Sequence, residues 1–392
     1  MCIANKLARF QSKHRCWFVH ALGIIALVLQ GVAGQPVVGQ APAATPASAA
    51  ANVDEPRDEA HPLLRSASTA ERWEANRAEL VKRMQSIMGE LPPKPAAAAP
   101  RWEVLSETDC GIYVRKHIRY LSEPRCWTPA YLCVPKQAAD SVAPNEADTP
   151  LPAVLCLHPT DNVNGNKVVV GLGGRANRQY AAELAERGYV TLAPAYPLLA
   201  DYQPDLEQLG WESGTLKAIW DNMRGVDLLQ SLPYIDDQAI GAIGHSLGGH
   251  NAVYTAVFDP RIRVIVSSCG LDSYRDYYGG DRANWEGGRG WTSQRYMPRL
   301  AQYQDRLSEI PFDFHEMIAA LAPRATLIVA PLHDSNFRPE SVDKIARAAR
   351  PIFELYGAGE ALRIAHPDCD HDFPPEQRQR AYELFDQVLD RG

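Results

Sequence analysis

The chain predicts an α/β domain: a mainly parallel sheet with helices on both faces, interrupted by one aromatic-rich insertion. Three observations predict it. From about residue 150 onward, short apolar runs alternate with longer helical segments, the order that builds parallel strands joined by crossover helices. A serine in Gly244-His245-Ser246-Leu247-Gly248 lies between one such run and the next helical segment. Two groups that can serve a serine, Asp334 and His371, fall just beyond the last two apolar runs.

The chain has 392 residues, 46% of them hydrophobic and 22% charged, enough for a sizeable core. A formal charge of −7 gives no reason to expect a nucleic-acid or anionic-membrane partner. Lys6, Arg9, Lys13 and Arg15 precede an apolar stretch from Trp17 to about Val32, and Val32-Ala33-Gly34 offers small residues for cleavage. That order reads as a signal peptide over residues 1–34 and an exported protein, periplasmic or extracellular. The alternative is an N-terminal membrane anchor; His20 and Gly23 interrupt the apolar stretch and count against it. Residues 35–67, rich in Ala and Pro up to Asp58, read as a disordered linker. Cys110, Cys126, Cys133, Cys156, Cys269 and Cys369 remain beyond the signal, and export favours some pairing. Cys269 and Cys369 are the candidate pair, because both fall at the same edge of the predicted sheet. No C-x-x-C occurs, so the spacing supports no zinc site.

An accessory helix within 68–100 opens at Ser68, with Glu71 completing a capping box. Trp73, Leu80, Val81, Met84 and Ile87 recur on one face, and Gly89 and Pro92-Pro93 end it. The main domain, 101–392, begins with strand-like runs between Trp102 and Pro135 that read as antiparallel leading strands. Gln137 to Asp148 is a polar surface loop. Then come a strand at Ala153–Leu157, a helix at Asn177–Arg187, a strand at Tyr189–Ala193 and a long helix at Ser213–Leu232. The apolar run before Ser246 is a strand, the segment Gly249–Phe258 a helix, and Val264–Val266 a strand. Ala325–Ala330, Pro339–Leu355, Leu362–Ile364 and Glu376–Leu389 follow as strand, helix, strand and helix.

Between Cys269 and about Pro311 the alternation stops. Tyr274, Tyr277, Tyr278, Trp285, Trp291, Tyr296 and Tyr303 crowd this stretch, too long for an ordinary connection and too aromatic for a disordered one. We read it as a lid or substrate wall, with Trp285 and Trp291 as pocket candidates; a satellite packing cluster is the alternative.

A serine is a weak nucleophile at neutral pH and needs a base that is itself oriented by a third group. Strand, tight turn and helix around Ser246 make the nucleophile elbow, in which the glycines let strand and helix approach closely. Asp334 and His371 lie at carboxyl ends of predicted parallel strands, the edge where Ser246 also emerges and where open α/β sheets place their sites. His366 is the alternative base and Asp272 the alternative acid. His245 and His333 read as structural, and His250 as either helix packing or pocket. For the oxyanion, Leu247 supplies one backbone N–H by position. Pro159 has no N–H, so Thr160 in His158-Pro159-Thr160-Asp161 is the candidate for the other.

Carried by Gly244-His245-Ser246-Leu247-Gly248-Gly249, Asp334 and His371-Asp372-Phe373-Pro374, residues from about 100 to 390 resemble the α/β-hydrolase superfamily. Within it they are similar to dienelactone hydrolase, acetyl xylan esterase and prolyl-oligopeptidase-like catalytic domains. The resemblance implies an α/β-hydrolase fold and a serine hydrolase with Ser246, Asp334 and His371 as triad. His158-Pro159-Thr160 departs from the common His-Gly-Gly oxyanion turn. The expected function is an exported serine hydrolase that cleaves carboxylic esters through an acyl-enzyme, with an acylated sugar as candidate substrate. A peptidase or thioesterase using the same triad is the alternative, and a non-catalytic binding protein on this scaffold a third reading. Gly171-Leu172-Gly173-Gly174-Arg175-Ala176 imitates a dinucleotide fingerprint, but the next strand ends in Ala193-Pro194-Ala195 where a ribose-binding acid belongs. We therefore expect no cofactor and no metal.

Overall fold

The apolar runs of the sequence fall side by side in one nine-stranded sheet. The structure is a computed structural model that describes residues 61–93, 99–139 and 150–389. The expected signal peptide and most of the expected linker lie outside the described residues.

Three strands lead the sheet: β1 (Trp102–Asp109), β2 (Tyr113–Glu123) and β3 (Cys126–Pro135). They pair antiparallel, as expected, and β3 joins β5 (Val190–Pro194) in the same sense. β4 (Leu151–Leu157), β6 (Ile235–His245), β7 (Ile262–Ser268), β8 (Ala325–Val329) and β9 (Leu362–Ala365) complete it. From β5 onward all pairings are parallel, in the order β5-β4-β6-β7-β8-β9.

Parallel strands must bury both faces, and the side-chain alternation here divides between two cores. Ala153, Leu155 and Leu157 of β4 point to one, with the faces of α1 (Ala70–Met88), α3 (Gly214–Ser231), α4 (Leu247–Phe258) and α6 (Pro339–Leu355). Val154 and Cys156 point to the other, with α2 (Tyr180–Glu186) and α7 (Pro375–Leu389). A further short helix, α5 (Phe314–Ala319), closes the aromatic insertion. The alternation in sequence thus becomes a doubly covered sheet. No helix among the described residues is long and apolar enough to cross a membrane.

The N-terminal boundary needs correction. Residues 61–67, assigned to the linker, are packed: Pro62–Arg65 forms a helical turn, Leu63 is buried, and His61 Nδ1 meets Glu316 Oε1 at 3.0 Å. The cap of α1 is Thr69, whose hydroxyl accepts from the Arg72 N–H at 3.2 Å, one residue later than predicted. The expected inward face holds, with Trp73, Leu80, Met84 and Ile87 buried. Helix α2 starts at Tyr180 rather than Asn177, because Asn177 adopts a left-handed backbone (φ 63°). All six described cysteines are free thiols. The expected Cys269–Cys369 bridge is not formed: Cys269 Sγ instead contacts the Asp372 carbonyl at 3.3 Å.

Candidate active site

β6 runs through the centre of the sheet and ends at His245, and α4 begins at Leu247. Between them Ser246 takes φ 55°, ψ −119°, a conformation that costs on the order of 1–3 kcal/mol in a non-glycine residue. Surrounding bonds hold it there. The Ser246 N–H donates to the Ser268 carbonyl at 2.8 Å, and its own carbonyl accepts from Gly249 and His250 at 2.9 and 3.2 Å. The two motif glycines are needed for space. A Cβ on Gly244 would lie 2.1 Å from the Gly248 oxygen, and one on Gly248 would lie 1.9 Å from the Leu157 oxygen.

The turn after β8 carries Asp334, and the turn after β9 carries His371. Asp334 Oδ1 accepts the N–H groups of Asn336 and Phe337 at 2.7 and 3.2 Å. His371 Nδ1 meets both Asp334 oxygens, at 2.9 and 2.8 Å. The Asp334 side chain is 1% exposed and that of His371 17%, so the carboxylate is sealed in and the imidazole keeps one open side. A proton held on Nδ1 by the carboxylate leaves Nε2 free to accept. His371 and Ser246 line the same cleft.

Residues with no motif to announce them hold this arrangement. Arg178 is buried, pairs with Asp372 at 2.5 Å and reaches the His371 carbonyl at 3.4 Å. Asn177 Nδ2 donates to Asp372 at 2.7 Å, which accounts for its unusual backbone. Cys269 sits against the acid; burial, and then the Asp334 charge, push its thiol well above the ordinary range, so it stays protonated. Cys269, Asp334 and His371 bring ligand atoms within 4.8 Å of one another, a spacing a metal ion could use. Here Asp334 and His371 are bonded to each other.

The rivals lie elsewhere. His366 Nδ1 bonds the Ala330 carbonyl at 2.7 Å and its Nε2 bonds Asp343 at 3.1 Å. Asp272 is buried, accepts the Arg338 N–H at 3.3 Å, and burial pushes its carboxyl up to about 6. His333 bonds Asp368 at 2.8 Å on the surface. His245 Nδ1 meets Ser268 Oγ at 3.1 Å, and its ring lies 4.9 Å from that of His371. Burial holds the His245 imidazole well below its usual range, so it stays neutral beside His371.

Leu247 and Thr160 both line the cleft beside Ser246. The first-turn N–H groups of a helix lack intrahelical partners, which suits Leu247 to face developing negative charge. His158 acts behind Thr160 as a brace. Its Nε2 accepts the Tyr196 N–H at 2.9 Å and its Nδ1 bonds the Pro159 carbonyl at 2.8 Å. Burial lowers its pKa to about 4, keeping it neutral for both bonds.

The cleft has two lobes, of about 200 and 280 Å³, that meet at Thr160, Ser246 and Asn336. The smaller is walled by the insertion through Tyr277, Tyr278, Trp291 and Tyr296. Trp291 therefore lines the cleft. Trp285 does not: it is fully buried behind the wall, edge-on to Tyr274 and Tyr277. His250 lines the same lobe; neither of its ring nitrogens nor Trp291 Nε1 has a hydrogen-bond partner among the described residues. The larger lobe receives Arg175 from the glycine-rich turn set aside as a nucleotide motif. Only the aromatic crowding hinted at this wall in the sequence; nothing there signalled Arg178 or Asn336.

Residues 209–357 match the profile of a family described as "Glucuronyl esterase, fungi". The stretch contains Ser246, Asp334 and the insertion, and stops short of His371. Among curated proteins, the chain is 26% identical over 258 residues to YtaP of Bacillus subtilis (strain 168), covering 60% of this chain and 78% of that one. It is 24% identical over 185 residues to 4-O-methyl-glucuronoyl methylesterase 1 of Wolfiporia cocos (strain MD-104), covering 44% of this chain and 45% of that one. Among solved structures, a glucuronoyl esterase from Solibacter usitatus superposes with a TM-score of 0.65 at 20% identity, over 81% of this chain and 93% of that one. At such identity the structural likeness speaks for the fold.

Proposed function

We propose that this chain, which has the α/β-hydrolase fold, is an exported serine esterase acting on carboxylic esters of carbohydrates, with uronic-acid esters as the leading substrate class. The observation that carries the reading is a strained serine at the β6–α4 turn, sharing one cleft with an imidazole bonded to a sealed carboxylate. His371 Nε2 takes the proton as Ser246 Oγ attacks the ester carbonyl. Asp334 stabilises the imidazolium that results. The oxyanion lies against the Leu247 and Thr160 N–H groups. His371 then returns the proton to the departing alcohol, and water repeats the cycle on the acyl-enzyme.

Two observations support a carbohydrate on the acyl side. His250 and Trp291, both residues of the smaller lobe, carry buried ring nitrogens with no hydrogen-bond partner among the described residues, and buried polar groups are normally satisfied by a partner such as a hydroxyl. The profile match and the names of the Wolfiporia and Solibacter proteins supply the chemical class. Export rests on residues 1–34 and is checked by N-terminal sequencing of the secreted protein. The function is tested by comparing a methyl ester of glucuronic acid with an acetylated xylan, a thioester and an amide. Turnover of the acetylated xylan without the uronate ester would move the sugar from the acid to the alcohol side. Turnover of amides alone would make the protein a peptidase.

A further inference from the structure

We propose that a cavity outside the catalytic cleft, on one face of the β2–β3 pair, is a second carbohydrate site that holds an uncharged sugar ring. The proposal rests on the reading of the substrate as a carbohydrate ester, and places a neighbouring unit of the same chain in this cavity.

Strand register creates the floor. Residues two apart share a face, and β2 and β3 pair His117 with Tyr131, Arg119 with Pro129 and Leu121 with Trp127. His117, Arg119, Trp127, Pro129 and Tyr131 accordingly line one cavity of about 350 Å³, larger than either lobe of the cleft and within the size range of small-molecule sites. The turn after β4 adds Asn164, Asn166 and Lys167 to the lining, and the segment after β5 adds Ala195 and residues 199–202. That turn is shared between the sites: Thr160, Asp161 and Val168 line the catalytic lobe, whereas Asn164 to Lys167 line this cavity. The two cavities therefore flank one turn of the chain.

The chemistry of the lining selects the ligand. The cavity holds charges, but they are already neutralised: Lys167 pairs with Asp201 at 2.7 Å and Arg119 with Glu103 at 2.7 Å. An ionic ligand has no unpaired counter-charge to meet. The His117 and Tyr131 rings stack at 4.9 Å, and the Trp127 ring is held by Arg119 and Arg101 at 4.6 and 5.0 Å. These surfaces are partly apolar. The His117 imidazole and the Tyr131 hydroxyl have no hydrogen-bond partner among the described residues, and the rim adds amide, ammonium and carboxylate groups. An apolar floor with a rim of mixed donors and acceptors suits a pyranose, whose C–H face and ring of hydroxyls present the same two characters.

The test uses xylohexaose, which carries no ester, and calorimetric titration of the full chain. Wild type and Ser246→Ala should bind it equally. His117→Ala and the exposed change Lys167→Ala should each weaken binding by about tenfold or more, the loss expected when a site loses hydroxyl partners. Both variants should keep wild-type turnover of a small uronate methyl ester and its melting temperature, while KM for a polymeric ester rises with kcat unchanged. Affinity that is absent in wild type, or identical in wild type and both variants, overturns the proposal. If His117-dependent binding persists in a protein that cleaves no carbohydrate ester, the functional reading falls and the site stands. If the esterase activity is found and the binding is not, the site alone falls.

Discussion

The serine turn and the aromatic insertion face each other across one cleft, yet they are built by opposite means. At the serine turn the backbone decides. Ser246 is placed by the pairing of β6 with its neighbours and by glycine contacts too close for any Cβ, while Asp334 and His371 each follow the end of a paired strand. In the insertion the side chains decide. It consists of short turns of three to six residues, joined by the packing of Tyr274, Trp285, Trp291 and Phe314. On the proposed reading the difference teaches where sensitivity should lie: chemistry with a few groups set by the sheet, and selectivity with a packed wall that can be altered without touching them.

The largest effect expected on the backbone-set side is that of Ser246→Ala, about a millionfold loss of kcat as for triad serines generally. Steady-state kinetics with a uronate methyl ester and a melting curve check it; a variant that keeps a tenth of wild-type activity removes Ser246 from the chemistry. Next is Asp334→Asn, with about a ten-thousandfold loss, because the amide favours the wrong imidazole tautomer. Asp272→Asn should cost far less, since Asp272 is bonded to Arg338 and not to His371. The reverse ranking would transfer the acid to the loop after β7 and break the strand-end argument.

On the packing side, Trp291→Ala should change the ratio of kcat/KM between a bulky uronate ester and a small activated acetate by roughly 10–200-fold. Trp285→Ala, behind the wall, should instead lower stability by about 3–5 kcal/mol and leave that ratio unchanged. Denaturant titration beside the two-substrate assay separates them, and a selectivity change from Trp285 with no stability loss would erase the distinction between wall and support.

The smallest effect concerns His250, where the two regions meet. Burial lowers its pKa from an ordinary 6.5 to about 3. The unfolded chain therefore binds a proton that the native state refuses, and native stability drops as pH falls from 6.5 toward 3. The buried Asp272, raised to about 6, acts in the opposite direction as pH falls from 6 toward 4. The informative quantity is thus a difference: His250→Phe should flatten the pH dependence of unfolding free energy by up to about 1.4 kcal/mol per pH unit within that window. Equal slopes would show that the imidazole takes up its proton in the native state.

Much of the fold was legible because its signals are local. Strand–helix alternation, the long helix read at Ser213–Leu232 (α3, Gly214–Ser231) and the span of α6 at Pro339–Leu355 all appear in the structure. Neither Ser68 as cap nor the linker to residue 67 holds: Thr69, a neighbour of the same chemical kind, accepts the Arg72 N–H, and Leu63 is buried against the rest of the domain. In the insertion, composition announced a wall and nothing more. Trp285 and Trp291 are six positions apart in irregular turns, where no fixed period says which ring faces inward.

By itself, then, the sequence determined the order of the elements, the serine turn and the strand ends that present Asp334 and His371, because each follows from periodicity, steric size or chain order within a few residues. Only the tertiary structure decided that Arg178 and Asn177 clamp Asp372, that Cys269 lies against Asp334 as a free thiol, and that Trp291 rather than Trp285 meets the cleft. It also decided that β2, β3 and the turn after β4 enclose a second cavity. These contacts join residues far apart in the chain, and side-chain packing and charge pairing across such separations leave no periodic mark on the sequence.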